Sequence, residues 1–315
     1  MPIARAVATR LKDATLPLRI FYNQNVYRTE PSLKGRSVEI GQTGIELIGS
    51  QMKTADLEVI SMAAAALKAC GLNFSLEIGN IGVFKELVSR LEVSEREKEY
   101  IRQLIETKNF PALNDMLDSI GSGNVTEALK KLPALFGGEE VFEKAKKVMP
   151  DEKITEILDE LKEIYKDVSD ICGKDIEITV DLGLVNKTDY YTGLIIKGYL
   201  QGHGDEVLSG GRYNKLISEF GYDIPAVGFA VNVDAIAKVA SKNANEIKVP
   251  VPDAIVYAEP GYEVSALKLA QKLRNKGEIV ENALFDDLDL VRDYAKEKKI
   301  SRIIVVDGSS RTEVL

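Results

Sequence analysis

The chain has 315 residues, 45% hydrophobic and 29% charged, a globular balance with room for one large domain and a small one. Its net charge of −8 argues against a tRNA- or DNA-binding surface, because such proteins carry a basic surplus. No apolar run reaches the ~18 residues of a membrane span, and "MPIARAVATRL" lacks the apolar core of a secretory signal, so a cytoplasmic protein is expected. Cys70 and Cys172 are far apart and read as buried thiols of a reducing compartment. His203 is the only histidine, which argues against a His-based metal site or a Ser-His-Asp triad.

In chain order, "RIFYNQNVYR" (19–28) and "SVEIGQTGIELIG" (37–49) read as long strands joined by the loop "TEPSLKGR", marked by Pro31 and Gly35. On the second strand Val38, Ile40, Gln42, Gly44, Glu46 and Ile48 share one face. Gln42 and Glu46 then stand roughly 13 Å apart across a glycine, like the floor of a pocket. "TADLEVISMAAAALKACG" repeats Ala55, Val59, Met62, Ala63, Ala66 and Leu67 at helical spacing, with Thr54 as the expected cap and Gly71 as the stop. "FSLEIG" alternates as a strand. From about 83 to 168 the pattern is helical and charged, an inserted helical subdomain whose charge runs read as solvated faces.

Strand alternation returns with Ile176, Ile178, Val180 and Leu182. "NKTDYYTGLII" follows, and Tyr190 and Tyr191, read as strand neighbours, should point to opposite faces. "VLSGGRYNKL" and "IPAVGFAVNVDAIAKVAS" complete an antiparallel sheet that ends in a helix. Residues 1–241 thus form one domain and the polar stretch 242–252 a linker. Residues 253–315 form a small α/β unit with a parallel sheet, and Leu267, Ala270 and Leu273 make the inward stripe of its first helix.

Three of these segments, in this order, resemble class II aminoacyl-tRNA synthetases of the histidyl branch. "VYRTEPSLKGR" with "QTGIELIG" is similar to motif 2. "LVNKTDYYTG" is similar to the histidine-specific Arg-Gly-Leu-Asp-Tyr-Tyr signature. "SGGRYNKL" with "PAVGFAVNVDAI" is similar to the Gly-rich segment and motif 3. The resemblance implies an α+β fold, a class II antiparallel sheet with flanking helices and a helical insertion, followed by the small α/β domain. It also implies a free-histidine site made of Gln42, Glu46, Tyr190, Tyr191 and Arg28. Glu46 and Tyr191 would meet the imidazole nitrogens and Gln42 the α-amino group. Arg28 matches the motif 2 arginine that meets the ATP α-phosphate in synthetases, and Glu30 its acidic companion.

The departures are specific. Asn186, Ala235 and Val38 stand where the synthetase pattern has arginines. Fixed cations hold the charge that develops on phosphorus oxygens during adenylate formation, each typically worth a few kcal/mol. Their loss beside an intact set of pocket residues resembles the paralogous family of ATP phosphoribosyltransferase regulatory subunits. That resemblance implies a subunit with no catalysis, cofactor or metal of its own. It would pair with a short catalytic subunit, bind histidine, self-associate through the class II core and leave tRNA alone. The family pattern has about 70 further residues, half a small domain, before "PIARAVATRL", so an N-terminally shortened chain is expected. The alternatives are a histidyl-tRNA synthetase, or a fragment of one, and a synthetase-like binding protein of another pathway.

Overall fold

The computed structural model describes residues 2–28, 38–173, 176–185, 190–243 and 250–314. They divide into two compact units, 1–244 and 245–315. In the first, α1 (Pro2–Arg10) precedes the hairpin β1 (Leu18–Tyr27) and β2 (Glu39–Ile48), then α2 (Lys53–Ala69) and β3 (Phe74–Asn80). Helices α3 (Ile81–Ser89), α4 (Glu95–Glu106), α5 (Phe110–Ile120) and α6 (Asn124–Lys131) follow. Next come the two-residue β4 (Phe136–Gly137), α7 (Glu140–Val148) and α8 (Glu152–Cys172). Strands β5 (Glu177–Asp181), β6 (Leu194–Leu200), β7 (Glu206–Arg212) and β8 (Ala226–Asn232), with α9 (Val233–Asn243), complete the unit.

The strands form one sheet in the order β1-β2-β8-β7-β6-β3-β5-β4, antiparallel throughout except for the parallel pair β3–β5. That exception follows from chain order, since the whole helical run α3–α8 intervenes between β3 and β5 and serves as the crossover a parallel pair requires. These helices share a single core with the sheet, from Leu47 and Ile60 through Leu113 and Phe142 to Val227. Sequence signals set several ends. Asn80 caps α3, Ser94 and Glu97 form a capping box on α4, and Asp151 caps α8. The α8 stripe Ile154, Leu158, Leu161, Ile164 and Val168 is buried. Leu67 of α2 approaches Gly198 on one face of the sheet, so α2 covers that side.

Several expectations change. Thr54 lies inside the first turn of α2, whose N-cap is Met52 without a side-chain hydrogen bond, and Met62 is exposed. Arg102 in α4 is buried rather than solvated, held by Glu99 and Glu106 at 2.7 and 2.9 Å. Both cysteines are half-buried rather than buried. Tyr190 and Tyr191 precede β6 in a turn rather than lying in a strand. Their rings tilt together with centroids 4.6 Å apart, so the opposite-face expectation fails.

In the second unit, β9 (Ala254–Ala258), α10 (Glu263–Arg274), β10 (Val280–Asn282), α11 (Leu288–Lys298), β11 (Arg302–Val306) and β12 (Ser310–Val314) form a sheet in the order β10-β9-β11-β12. The first three strands are parallel, as expected, while β12 is an antiparallel edge that returns through a short turn. The buried stripe of α10 is Ala266 and Ala270, with Leu269 and Leu273 partly buried. Ala270 and Leu273 face inward as expected, while Leu267 is exposed and Ala266 takes its place.

Candidate ligand-binding site

The face of the large sheet opposite α2 is built around glycines. Gly44 on β2 pairs with Tyr22 on β1 and with Ala230 on β8. A side chain at Gly44 would strike the Tyr22 ring and hydroxyl at 2.7 Å, so the glycine is what lets that phenol lie over the sheet. Gly228 on β8 stands opposite Glu46 and Gly211 on β7 opposite Gly228. A Cβ at Gly228 would collide with the Glu46 carboxylate, and one at Gly211 would meet the Tyr191 ring at 2.9 Å. Three neighbouring strands therefore give up side-chain volume in one place, and tyrosines and a carboxylate occupy it.

Gln42 and Glu46 do share a face, as the alternation requires, but the space between them is not empty. Tyr22 fills it, and its hydroxyl accepts the Gln42 amide N–H at 2.6 Å. On the other side the Gln42 carbonyl accepts from the exposed Arg28 guanidinium at 3.2 Å. Glu46 accepts from the Tyr213 hydroxyl. Tyr191 and Tyr213 are both buried, and the Tyr190 ring packs edge-on against Tyr213 with centroids 6.0 Å apart. Ser209 and Tyr190 hydrogen-bond to Tyr191. The structure thus brings Gln42, Glu46, Tyr190, Tyr191 and Arg28 into one constellation.

Burial pushes the Glu46 carboxyl up to about 7, partly offset by the hydrogen bond from Tyr213. Tyr22 is raised to about 12, first by burial and then by the negative charge of Glu46. Tyr191 and Tyr213 are raised well above the ordinary phenol value, mainly by burial. The floor is therefore neutral hydroxyl and amide groups around one carboxylate. It suits a small ligand that offers N–H donors and an acceptor.

Three hydrogen bonds tie the tyrosine segment in place. Thr192 donates its backbone N–H to the Arg212 carbonyl at 2.8 Å, and the Thr192 hydroxyl accepts from Asn214 N–H at 3.0 Å. Lys85 of α3 donates to the Tyr191 carbonyl at 2.8 Å. Below them Arg212 is buried against Asp56 of α2 at 2.9 Å and also donates to the Ser50 carbonyl.

The two described arginine-replacing positions differ. Val38 is exposed at the loop end of the hairpin, where its carbonyl takes the Arg28 N–H at 2.9 Å. Ala235 is buried in the first turn of α9, its N–H taken by the Asn232 side chain at 3.0 Å. Its neighbour Asp234 accepts the Gly41 N–H at 2.7 Å. Asn186 and Glu30 lie outside the described residues. Tyr22, Tyr213, Ser209 and Lys85 were not singled out from the sequence. Tyr213 had a signal in "SGGRY", and Tyr22 in its place directly opposite Gly44 in the hairpin. Nothing local marked Ser209 or Lys85.

With this geometry in hand, the comparisons are specific. The sequence model of the family described as Histidyl-tRNA synthetase matches residues 1–236. A Clostridium kluyveri protein named ATP phosphoribosyltransferase regulatory subunit is 43% identical over 304 residues, covering 95% of this chain and 77% of that protein. A Clostridium acetobutylicum protein of the same name is 39% identical over 311 residues, covering 97% and 76%. Among solved structures, an ATP phosphoribosyltransferase regulatory subunit/histidyl-tRNA synthetase from Bacillus halodurans superposes with a TM-score of 0.81 at 30% identity, over 98% of this chain and 78% of that one. A histidyl-tRNA synthetase from a Nostoc species gives 0.79 at 20% identity, over 99% and 79%, a likeness of fold alone. The expected α+β, class II synthetase-like architecture is the one observed, and the chain belongs to the family of ATP phosphoribosyltransferase regulatory subunits, built on the histidyl-tRNA synthetase fold.

Proposed function

We propose that this chain is a non-catalytic, histidine-sensing subunit that assembles with a short catalytic subunit of ATP phosphoribosyltransferase and controls the first step of histidine biosynthesis in the cytoplasm. The relatives' name supports the partnership. The observation that carries the sensing role is the contrast between the ligand-reading positions and the phosphate-gripping ones. The ligand-reading groups Gln42, Glu46 and Tyr191 are assembled, whereas Ala235 and Val38 offer no cation where a synthetase grips phosphate. Glu46 and Tyr191 would read the imidazole nitrogens, Gln42 the α-ammonium, and the exposed Arg28 the carboxylate. Tyr190, packed on both buried tyrosines, would close the imidazole end. No metal or cofactor enters this reading, tRNA is not a partner, and the chain self-associates through its class II core.

Activation of histidine is the competing activity, and ATP–pyrophosphate exchange separates the two. The sensing reading expects histidine binding by calorimetry with no exchange, and phosphoribosyl transfer by an added short catalytic subunit that depends on this chain and falls with histidine. Exchange at synthetase rates, or a catalytic subunit indifferent to this chain, would overturn it.

A further inference from the structure

We infer that Tyr22 is a specificity-determining positioning residue, which holds the Gln42 side-chain amide so that its carbonyl faces an incoming α-ammonium group. The inference rests on the proposed histidine site and deepens it.

Gln42 has one acceptor atom and one donor group, and the two ends read opposite ligands. If the carbonyl faces the pocket it accepts from an ammonium. If the amide is reversed, it presents N–H groups to that ammonium and repels it. Arg28 can only donate, so its 3.2 Å contact requires the carbonyl on that side. Arg28 is exposed and, in the proposed site, is shared with the ligand carboxylate, which competes with Gln42 for its N–H groups.

Tyr22 is half-buried, its ring rests over Gly44, and its hydroxyl lies 2.6 Å from the Gln42 amide nitrogen. A phenol can donate as well as accept, so something must settle its role. Glu46 stands two residues beyond Gly44 on the same face of β2, and its negative charge favours the protonated phenol. The bond from Gln42 acts in the opposite direction and pulls Tyr22 down, as a donor to a phenolic oxygen does. In the structure the Gln42 amide nitrogen, and not its oxygen, lies against the phenol, so Tyr22 accepts from Gln42 and the carbonyl faces away from it toward the ligand side. Gly44 is part of the same device, because any side chain there would displace the ring.

Tyr22→Phe removes one hydroxyl and keeps the ring in place over Gly44. The probes are histidine and imidazole-4-propionate, which has the same ring and carboxylate but no amine. Calorimetry should show histidine weakened roughly ten- to hundredfold in Tyr22→Phe, the size of one lost hydrogen bond to a charged group. Imidazolepropionate should bind the variant within about twofold of wild type, because it never uses the Gln42 carbonyl. In a Gln42→Met background the same substitution should change histidine affinity within about twofold, since the two residues act as a unit. Equal weakening of both ligands would mean that Tyr22 only shapes the site, and it would overturn the inference. So would unchanged discrimination between them. If the wild-type chain binds no histidine at all, the reading of the site fails and the inference fails with it.

Discussion

Tyr213 donates its hydroxyl proton to the Glu46 carboxylate, joining the residue that follows β7 to the C-terminal end of β2 across the intervening strand β8. The bond is possible because Gly228, directly opposite Glu46, leaves room for the carboxylate. It keeps Glu46 in a fixed position without supplying a compensating positive charge. A carboxylate held in this way is ready to accept an N–H, and its ionisation depends on its surroundings.

Glu46→Ala should weaken histidine binding roughly ten- to hundredfold with the fold intact, since a charge-assisted hydrogen bond is worth about 1.5–3 kcal/mol. Calorimetry with a thermal melt as the control measures both. Unchanged affinity would remove Glu46 from the site.

The raised Glu46 carboxyl has a consequence for stability. Its folded value of about 7 exceeds that of an exposed glutamate. The folded state therefore binds the proton more tightly than the unfolded chain, and the associated stability is present at low pH. It is lost as pH rises from the ordinary glutamate range through about 7. The whole effect is at most about 3 kcal/mol. Urea unfolding at pH 5.5 and pH 8 should show a larger fall for wild type than for Glu46→Gln, which cannot ionise. Parallel behaviour of the two proteins would rule Glu46 out as the source.

The buried pair Arg212–Asp56 ties β7 to α2 beneath the tyrosines. Asp56→Ala leaves the arginine charge buried and should cost about 3–5 kcal/mol in urea unfolding. The double variant Asp56→Leu/Arg212→Met should recover most of that loss, because no uncompensated charge remains. Additive losses would show that the two residues act independently.

Adenylate formation should be absent, and Ala235→Arg alone should not create it, because a phosphate clamp acts as a unit. Ala235 is buried in the first turn of α9, so the substitution also strains packing there. Robust pyrophosphate exchange in the unmodified chain is the result that contradicts this expectation.

Histidine in the complex should lower phosphoribosyl transfer without competing at the catalytic subunit's own site. Any such effect is a difference in affinity between assembly states, so the partner's substrates must weaken histidine binding by the same factor, five- to hundredfold for a coupling of about 1–3 kcal/mol. Titrating histidine into complexes carrying Tyr191→Phe and Gln42→Ala checks the location. A wild-type midpoint of inhibition would place the sensing site elsewhere.

The sequence by itself determined the local features of this protein. Alternation on β2 put Gln42 and Glu46 on one face, because side-chain direction in a strand has a period of two. Helical spacing marked α2 and α8, and the motif order carried the fold and the family. Only the tertiary structure decided what fills the space around those residues. Tyr22 reaches Gln42 through hairpin register, and Tyr213 reaches Glu46 through strands from another part of the chain. Such pairings depend on sheet order and on glycines whose significance appears only when their neighbours are known. The tyrosine pair shows the same limit. Adjacent residues alternate only inside a strand, and Tyr190 and Tyr191 sit in a turn pinned by Thr192, Arg212, Asn214 and Lys85, so both rings lie together. The backbone conformation that decides this is set by long-range hydrogen bonds, and no local pattern in the sequence encodes them.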